Sequence, residues 1–202
     1  MEYSKIFKLM ILTVGLLSLA GCGSSSSSPS EVKSDVTKEI STDSFETTTG
    51  VITKETIIVV GESKDTETTI KISEGTQFVD SESGEVITEV PRVHVTTTKS
   101  SQESLTTIIF ETSDGKKVIP SEPITVSVPA PAGAKPGDRV QIKVPDDGGI
   151  KAAKINQKLI IAIVKSDGTI EIVIDPDQFK GQVIIIIIFE EEKKPNLDAS
   201  TN

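Results

Sequence analysis

The chain has 202 residues and a formal net charge of −9, with 30 acidic against 21 basic side chains, one cysteine, one histidine, one tyrosine and no tryptophan. An acidic surface repels nucleic acid, because phosphate binding rests on clustered Lys and Arg, and the densest cationic pair, in "DGKK" (residues 114–117), reads as a hairpin tip. So few aromatic rings leave no platform on which bases or sugars stack, and a lone cysteine leaves no disulfide within the chain.

At the N-terminus, Lys5 and Lys8 precede the apolar run "LMILTVGLLSLA" (residues 9–20). A bilayer-spanning helix needs ~20 apolar residues, so this shorter run behind a basic start reads as a secretory signal. It closes on Leu19-Ala20-Gly21-Cys22 instead of a small-x-small cleavage site. Basic region, apolar region, small residues and cysteine in that order resemble the lipobox of bacterial lipoproteins. The resemblance implies cleavage before Cys22, a thioether from its sulfur to diacylglycerol, and further acylation by a fatty acid such as palmitate. Two or more acyl chains anchor a protein stably where one does so only marginally, so the membrane becomes a partner through Cys22. Gly23, where an Asp would favour the inner membrane, implies the outer membrane of the cell envelope. An ordinary signal peptide with an incidental cysteine is the alternative. Either way residues 1–21 leave, and Tyr3 with them.

Next comes "GSSSSSPSEVKSDVTKEISTDSFETTTG" (residues 23–50). With few large apolar side chains it buries too little surface to fold, so residues 22–50 are expected to form the lipidated cysteine and a flexible tether. About 27 flexible residues reach roughly 30 Å. A first strand around Phe45 is the alternative for its last few residues.

After Val51 the apolar period is 2. "TIKIS", "RVHVT", "ITVSVP", "RVQIKV" and "TIEIVI" alternate β-branched with polar residues, and turn signals separate them: Ser83-Gly84, Asp114-Gly115, Asp146-Asp147-Gly148-Gly149 and Asp167-Gly168. Such runs are strands, and Asp-Gly between two of them is a tight hairpin signal. "LIIAIV" (residues 159–164) and "VIIIIIF" (residues 183–189) are apolar on both faces and are expected to be covered on both sides. The second is too short for a membrane helix, and the Glu190 to Pro195 run behind it guards against aggregation. Many short strands at this spacing predict an all-β fold, an antiparallel Ig-like sandwich over residues 51–190. Residues 51–100 are either a separate N-terminal strand region beside a sandwich at 101–190 or part of one sandwich; residues 191–202 read as a disordered tail.

Three segments carry a further resemblance: "TTIKISEGTQFVDSESGEVIT", "PITVSVPAPAGAKPGDRVQIKVP" and "KSDGTIEIVIDPDQF". In that order they resemble ZU5-like β-sandwiches of bacterial surface proteins and eukaryotic adaptors, over residues 68–189. Ser73-Glu74-Gly75-Thr76 replaces the family's Pro-bearing turn, and no Trp precedes the last hairpin. The resemblance implies a structural or protein-interaction module. Relatives of that group cleave themselves at His-Phe-Ser; here Gln178-Phe179-Lys180 supplies neither base nor nucleophile.

Chemistry-bearing residues are few. A Ser-His-acid triad would have to use His94, which sits opposite Val93 and Val95 and reads as a solvated strand residue. No Gly-x-Ser-x-Gly, His-Glu-x-x-His or phosphate loop occurs, and zinc would lack ligands. Asp146, Asp147, Asp175 and Asp177 could offer oxygens to calcium, but neither pair has the spacing of a known loop, and turn-forming aspartates are the preferred reading. The loop "VPAPAGAKPGD" (residues 128–138) is a rigid crossover between sheets or a presented interaction loop. The expectation is a non-enzymatic, lipid-anchored envelope module with a protein partner, no cofactor and no metal. The alternative is a small envelope ligand-binding protein or hydrolase with a carboxylate site.

Overall fold

The computed structural model describes residues 31–145 and 157–190. Its strands are β1 (Val32–Glu39), β2 (Phe45–Glu46), β3 (Val51–Ile52), β4 (Thr56–Val60), β5 (Thr68–Ile72), β6 (Phe78–Asp80), β7 (Arg92–Lys99), β8 (Glu103–Glu111), β9 (Lys117–Pro120), β10 (Ile124–Pro129), β11 (Arg139–Pro145), β12 (Gln157–Ile163), β13 (Thr169–Ile174) and β14 (Val183–Ile188). The one-residue alternation seen in the sequence sets which side chains enter the core. In β10, Ile124, Val126 and Val128 are buried while Thr125 and Ser127 are half-buried on the other face.

Two antiparallel sheets form the sandwich. The larger has the order β1-β7-β8-β14-β11-β12, with β9 joining β8 and β6 joining β9; the smaller has the order β13-β10-β5-β4. A two-stranded ladder, β2 with β3, closes one end, pairing Phe45 with Ile52. Strands from residues 51–100 and from 101–190 share both sheets, so one core serves the whole domain. Its centre is aromatic: Phe78 and Phe110 stand 5.2 Å apart between centroids, and Phe110 and Phe179 5.8 Å, both tilted. Such pairs add to the burial that drives the packing.

The structure departs from the sequence reading in three places. First, residues 32–46, expected in the tether, belong to the fold. β1 pairs along its whole length with β7, and Ile40 and Phe45 are buried. Composition misled because β1 buries little besides Ser34: its neighbour supplies the hydrogen bonds, and only Val36 packs on the core. Second, β12 is not covered on both faces, since Ile161 and Ile163 are 68% and 61% exposed. Third, β14 buries Val183, Ile185 and Ile187 against the small sheet, but of its outward residues only Ile184 is buried; Ile186 and Ile188 are half-exposed. Both departures have one cause: among the described residues no second layer covers the outer face of the large sheet, and its strands screen one another only sideways.

The crossover from β10 to β11 passes from the small sheet to the large one, so the proline-rich segment is a rigid crossover. The Ala132 and Gly133 amides donate to the Ser100 and Ser101 carbonyls (2.8 and 2.9 Å), and the Ala130 amide to the Gly168 carbonyl (3.0 Å). A side chain at position 133 would put its Cβ 2.5 Å from the Ser101 carbonyl oxygen, which is why glycine stands there.

Candidate functional site

The crossover also shapes a cleft. Gly133, Lys135, Gly137 and Asp138 wall one side, and the outward faces of β11, β12 and the end of β14 supply Arg139, Gln141, Ile161, Ile188 and Phe189, around a volume of about 700 Å³. Its lining mixes the aliphatic Val140, Ile161 and Ile188 with charges of both signs, Lys135 and Arg139 beside Asp138 and Glu190. Asp138 is occupied locally, its Oδ2 accepting from the Lys135 amide (2.8 Å). Among the described residues neither Lys135 nor Arg139 forms an ion pair, whereas Lys71, Arg92, Lys99 and Lys165 all do. The cleft went unread in the sequence because its parts come from three separated segments and none carries a motif.

His94 is less free than its sequence position suggested. It lies on the outward face of β7, half-buried, with Nδ1 2.8 Å from Thr37 Oγ1 and Nε2 3.2 Å from Asp35 Oδ1. These contacts cross to β1, so His94 clips the first strand onto the sheet. The missed strand explains the missed partners.

Of the carboxylates singled out, Asp175 and Asp177 are exposed around the 3-10 turn Pro176–Gln178, where the Asp175 amide donates to Gln178 Oε1 (2.9 Å). No three His, Cys, Asp or Glu side chains gather as for a metal ion among the described residues. Asp146, Asp147 and Cys22 lie outside the described residues. In Gln178-Phe179-Lys180, Phe179 is buried against Phe110.

Three other aspartates do structural chemistry at turns. Asp80 Oδ1 accepts from the Ser83 and Glu82 amides (both 2.8 Å), and these bonds hold its carboxyl below the ordinary range. Asp114 is lowered chiefly by the Thr112 hydroxyl. Asp167 is lowered by the hydroxyl and then the amide of Thr169. The core also holds polar groups: Thr97 faces Thr106 (3.4 Å), while the buried hydroxyls of Ser34, Thr68 and Ser104 have no partner among the described residues. Buried hydroxyls of this kind commonly hold ordered water.

No protein-family model matches this chain, and comparison with curated proteins and with solved structures gives no significant match either.

Proposed function

We infer that this is a lipid-anchored module of the bacterial cell envelope that works by binding protein. The observation that carries the reading is the division of the sandwich into a filled interior and an uncovered outer sheet face. Between the sheets, twelve of the larger side chains fall below 2% exposure. Outside, Thr96, Thr98, Leu105, Thr107, Ile109, Ile186 and Ile188 form a half-exposed field of hydroxyl and aliphatic groups. That field ends at the cleft, whose lining carries Lys135 and Arg139 together with Asp138 and Glu190. Exposed aliphatic surface beside polar groups is the make-up of recognition surfaces. The ZU5-like order of segments and the lipobox-like Leu19-Ala20-Gly21-Cys22 support the same reading.

The start of β1 at Val32 leaves the ten residues from Cys22 to Glu31 between anchor and domain. The domain is therefore carried closer to the membrane than a tether running to Gly50 would carry it. Cys22→Ala tests the anchor: the protein should move to the soluble fraction or remain an unprocessed precursor. If the variant stays with membranes after a high-salt wash, the anchoring is wrong. For the binding face, a photo-reactive side chain at Thr107 should give one discrete adduct in intact cells, lost on Leu105→Glu. A smear, or no adduct at any position on this face, argues against a protein partner there.

A further inference from the structure

The sheets leave two flanks, and the chain treats them differently. On one, β1 and β4 stand close: Lys38 Nζ donates to the Val59 carbonyl (3.1 Å), and β1 carries Lys33, Asp35, Lys38 and Glu39. Charges on an edge strand discourage the addition of another strand. On the other flank, β12 and β13 part after a tight turn and become the outermost strands of their sheets. Here the aliphatic side chains are bare, Ile161, Ile163 and Val173 being 68%, 61% and 59% exposed.

The charges of these two edges are opposite. In an acidic chain, β11 and β12 carry Arg139, Lys143 and Lys158 and no carboxylate, whereas β13 exposes Glu171 and is followed by exposed Asp175. Among the described residues Arg139, Lys143 and Asp175 form no ion pair, and Glu171 pairs with Lys165 of its own turn (2.6 Å). The levels also match. The Lys165 amide donates to the Thr169 carbonyl (2.9 Å), and counting outward from that pair sets Ile163 level with Glu171, Ile161 with Val173 and Leu159 with Asp175. Within the large sheet, those β12 positions register with Arg139, Gln141 and Lys143.

We propose that a second copy of this chain covers this flank, related by a two-fold axis parallel to the strands, with β12 of each copy pairing antiparallel with β13 of the other. Rotation about that axis keeps each residue at its own level, exchanges the two sheets and leaves outer faces outer. Glu171 of the second copy then falls beside Ile163 in the Arg139 row, Val173 beside Ile161 in the Gln141 row, and Asp175 at the Leu159 position in the Lys143 row. Each carboxylate stands beside an aliphatic β12 position with the cation of that row one strand further, roughly 10 Å away, while Val173 and Ile161 meet directly, as favourable cross-strand pairs do. The symmetry makes every contact twice. Both open edges close together. The dimer goes beyond the envelope reading and does not rest on it.

Paired cysteines test the geometry directly. In a full-length Cys22→Ser background, Ile161→Cys combined with Val173→Cys should form an intermolecular disulfide under mild oxidation. Within one copy those positions face outward from sheets about 10 Å apart and cannot bond. Neither single variant should cross-link. Sedimentation of the parent should show a dimer, with Arg139→Glu weakening it about tenfold by turning two symmetry-related attractions into repulsions. Adding Glu171→Arg to that variant should recover most of the loss. A parent that sediments as a monomer at every concentration overturns the proposal. So does cross-linking by Ile161→Cys alone, which would mean that β12 meets β12.

Discussion

At the scale of single residues, the turn aspartates set an acid limit on stability. Asp80, Asp114 and Asp167 each accept hydrogen bonds that exist only in the folded chain, and each carboxyl is lowered as a result. A group lowered in the folded state contributes stability that is full above its unfolded value, about 3.9 for Asp, and that disappears as pH falls through the folded value. Melting temperature should therefore hold steady from neutral pH down to about 5 and fall below about 4. Asp80→Asn, Asp114→Asn and Asp167→Asn together should flatten that acid limb; an unchanged limb would assign acid sensitivity to other carboxylates. Glycine offers a sharper contrast. Gly50 has φ +68° and a Cβ there would lie 2.2 Å from the Ile87 carbonyl oxygen, while Gly115 has φ +86° and open space around it. Gly115→Ala should cost about 1 kcal/mol from backbone strain alone. Gly50→Ala adds a backbone clash to the same strain and should cost more than about 3 kcal/mol. Equal denaturation midpoints for the two variants would contradict the packing of the β2–β3 end on Ile87.

At the scale of elements, β14 shows how far a sequence pattern reaches. Seven apolar residues in a row say "strand in the middle of a sheet", and β14 does lie between β8 and β11. The run cannot say whether a second layer covers the outer face. That depends on which other segments arrive there, and none of the described ones does. Ile185 is 0% exposed, whereas Ile186 is half-exposed beside Leu105 and Lys143. Ile185→Asp would bury an unpaired charge at a cost of several kcal/mol, enough to unfold a domain stable by ~5–15 kcal/mol. Ile186→Asp keeps access to water and has Lys143 opposite, so its loss should stay near ~1 kcal/mol. Circular dichroism melts decide between them: if both variants unfold, the outer face is covered after all. The turns were more legible than the faces. Asp114-Gly115 and Asp167-Gly168 take the positive φ that their positions demand, at Gly115 and Gly168, because that requirement is local; but only the first joins a hairpin, β8 with β9, whereas the strands expected to pair across Asp167-Gly168, β12 and β13, part into different sheets. The cleft and the His94 contacts with Asp35 and Thr37 depend on residues 57 or more positions apart, or on three strands at once, and no local pattern announces them.

At the scale of the whole molecule, the question is where the folded unit begins. Polar composition made residues 22–50 read as a tether, yet the chain enters the sandwich at Val32. β1 adds eight registered pairs to the β7 edge, after which the Ile40 amide donates to the Pro91 carbonyl (3.1 Å) and the Thr53 amide to the Ser44 carbonyl (2.9 Å). A strand can be this polar because one of its faces meets water and Ser34 is the only deeply buried residue on the other; backbone pairing, invisible to hydropathy, holds it. Energetically the segment matters through what it carries at its end. Ile40 and Phe45 are 1% and 4% exposed, and burying each contributes about 1.5–3 kcal/mol. Losing both would remove roughly 3–6 kcal/mol from a total of ~5–15 kcal/mol, and would bare the β7 edge for pairing with another chain. A chain beginning at residue 31 should therefore melt within a few degrees of one beginning at residue 22. One beginning at residue 51 should melt far lower, or aggregate on expression. If the shorter chain is as stable as the longer, β1 is an ornament of the sheet and the folded unit does begin near Gly50.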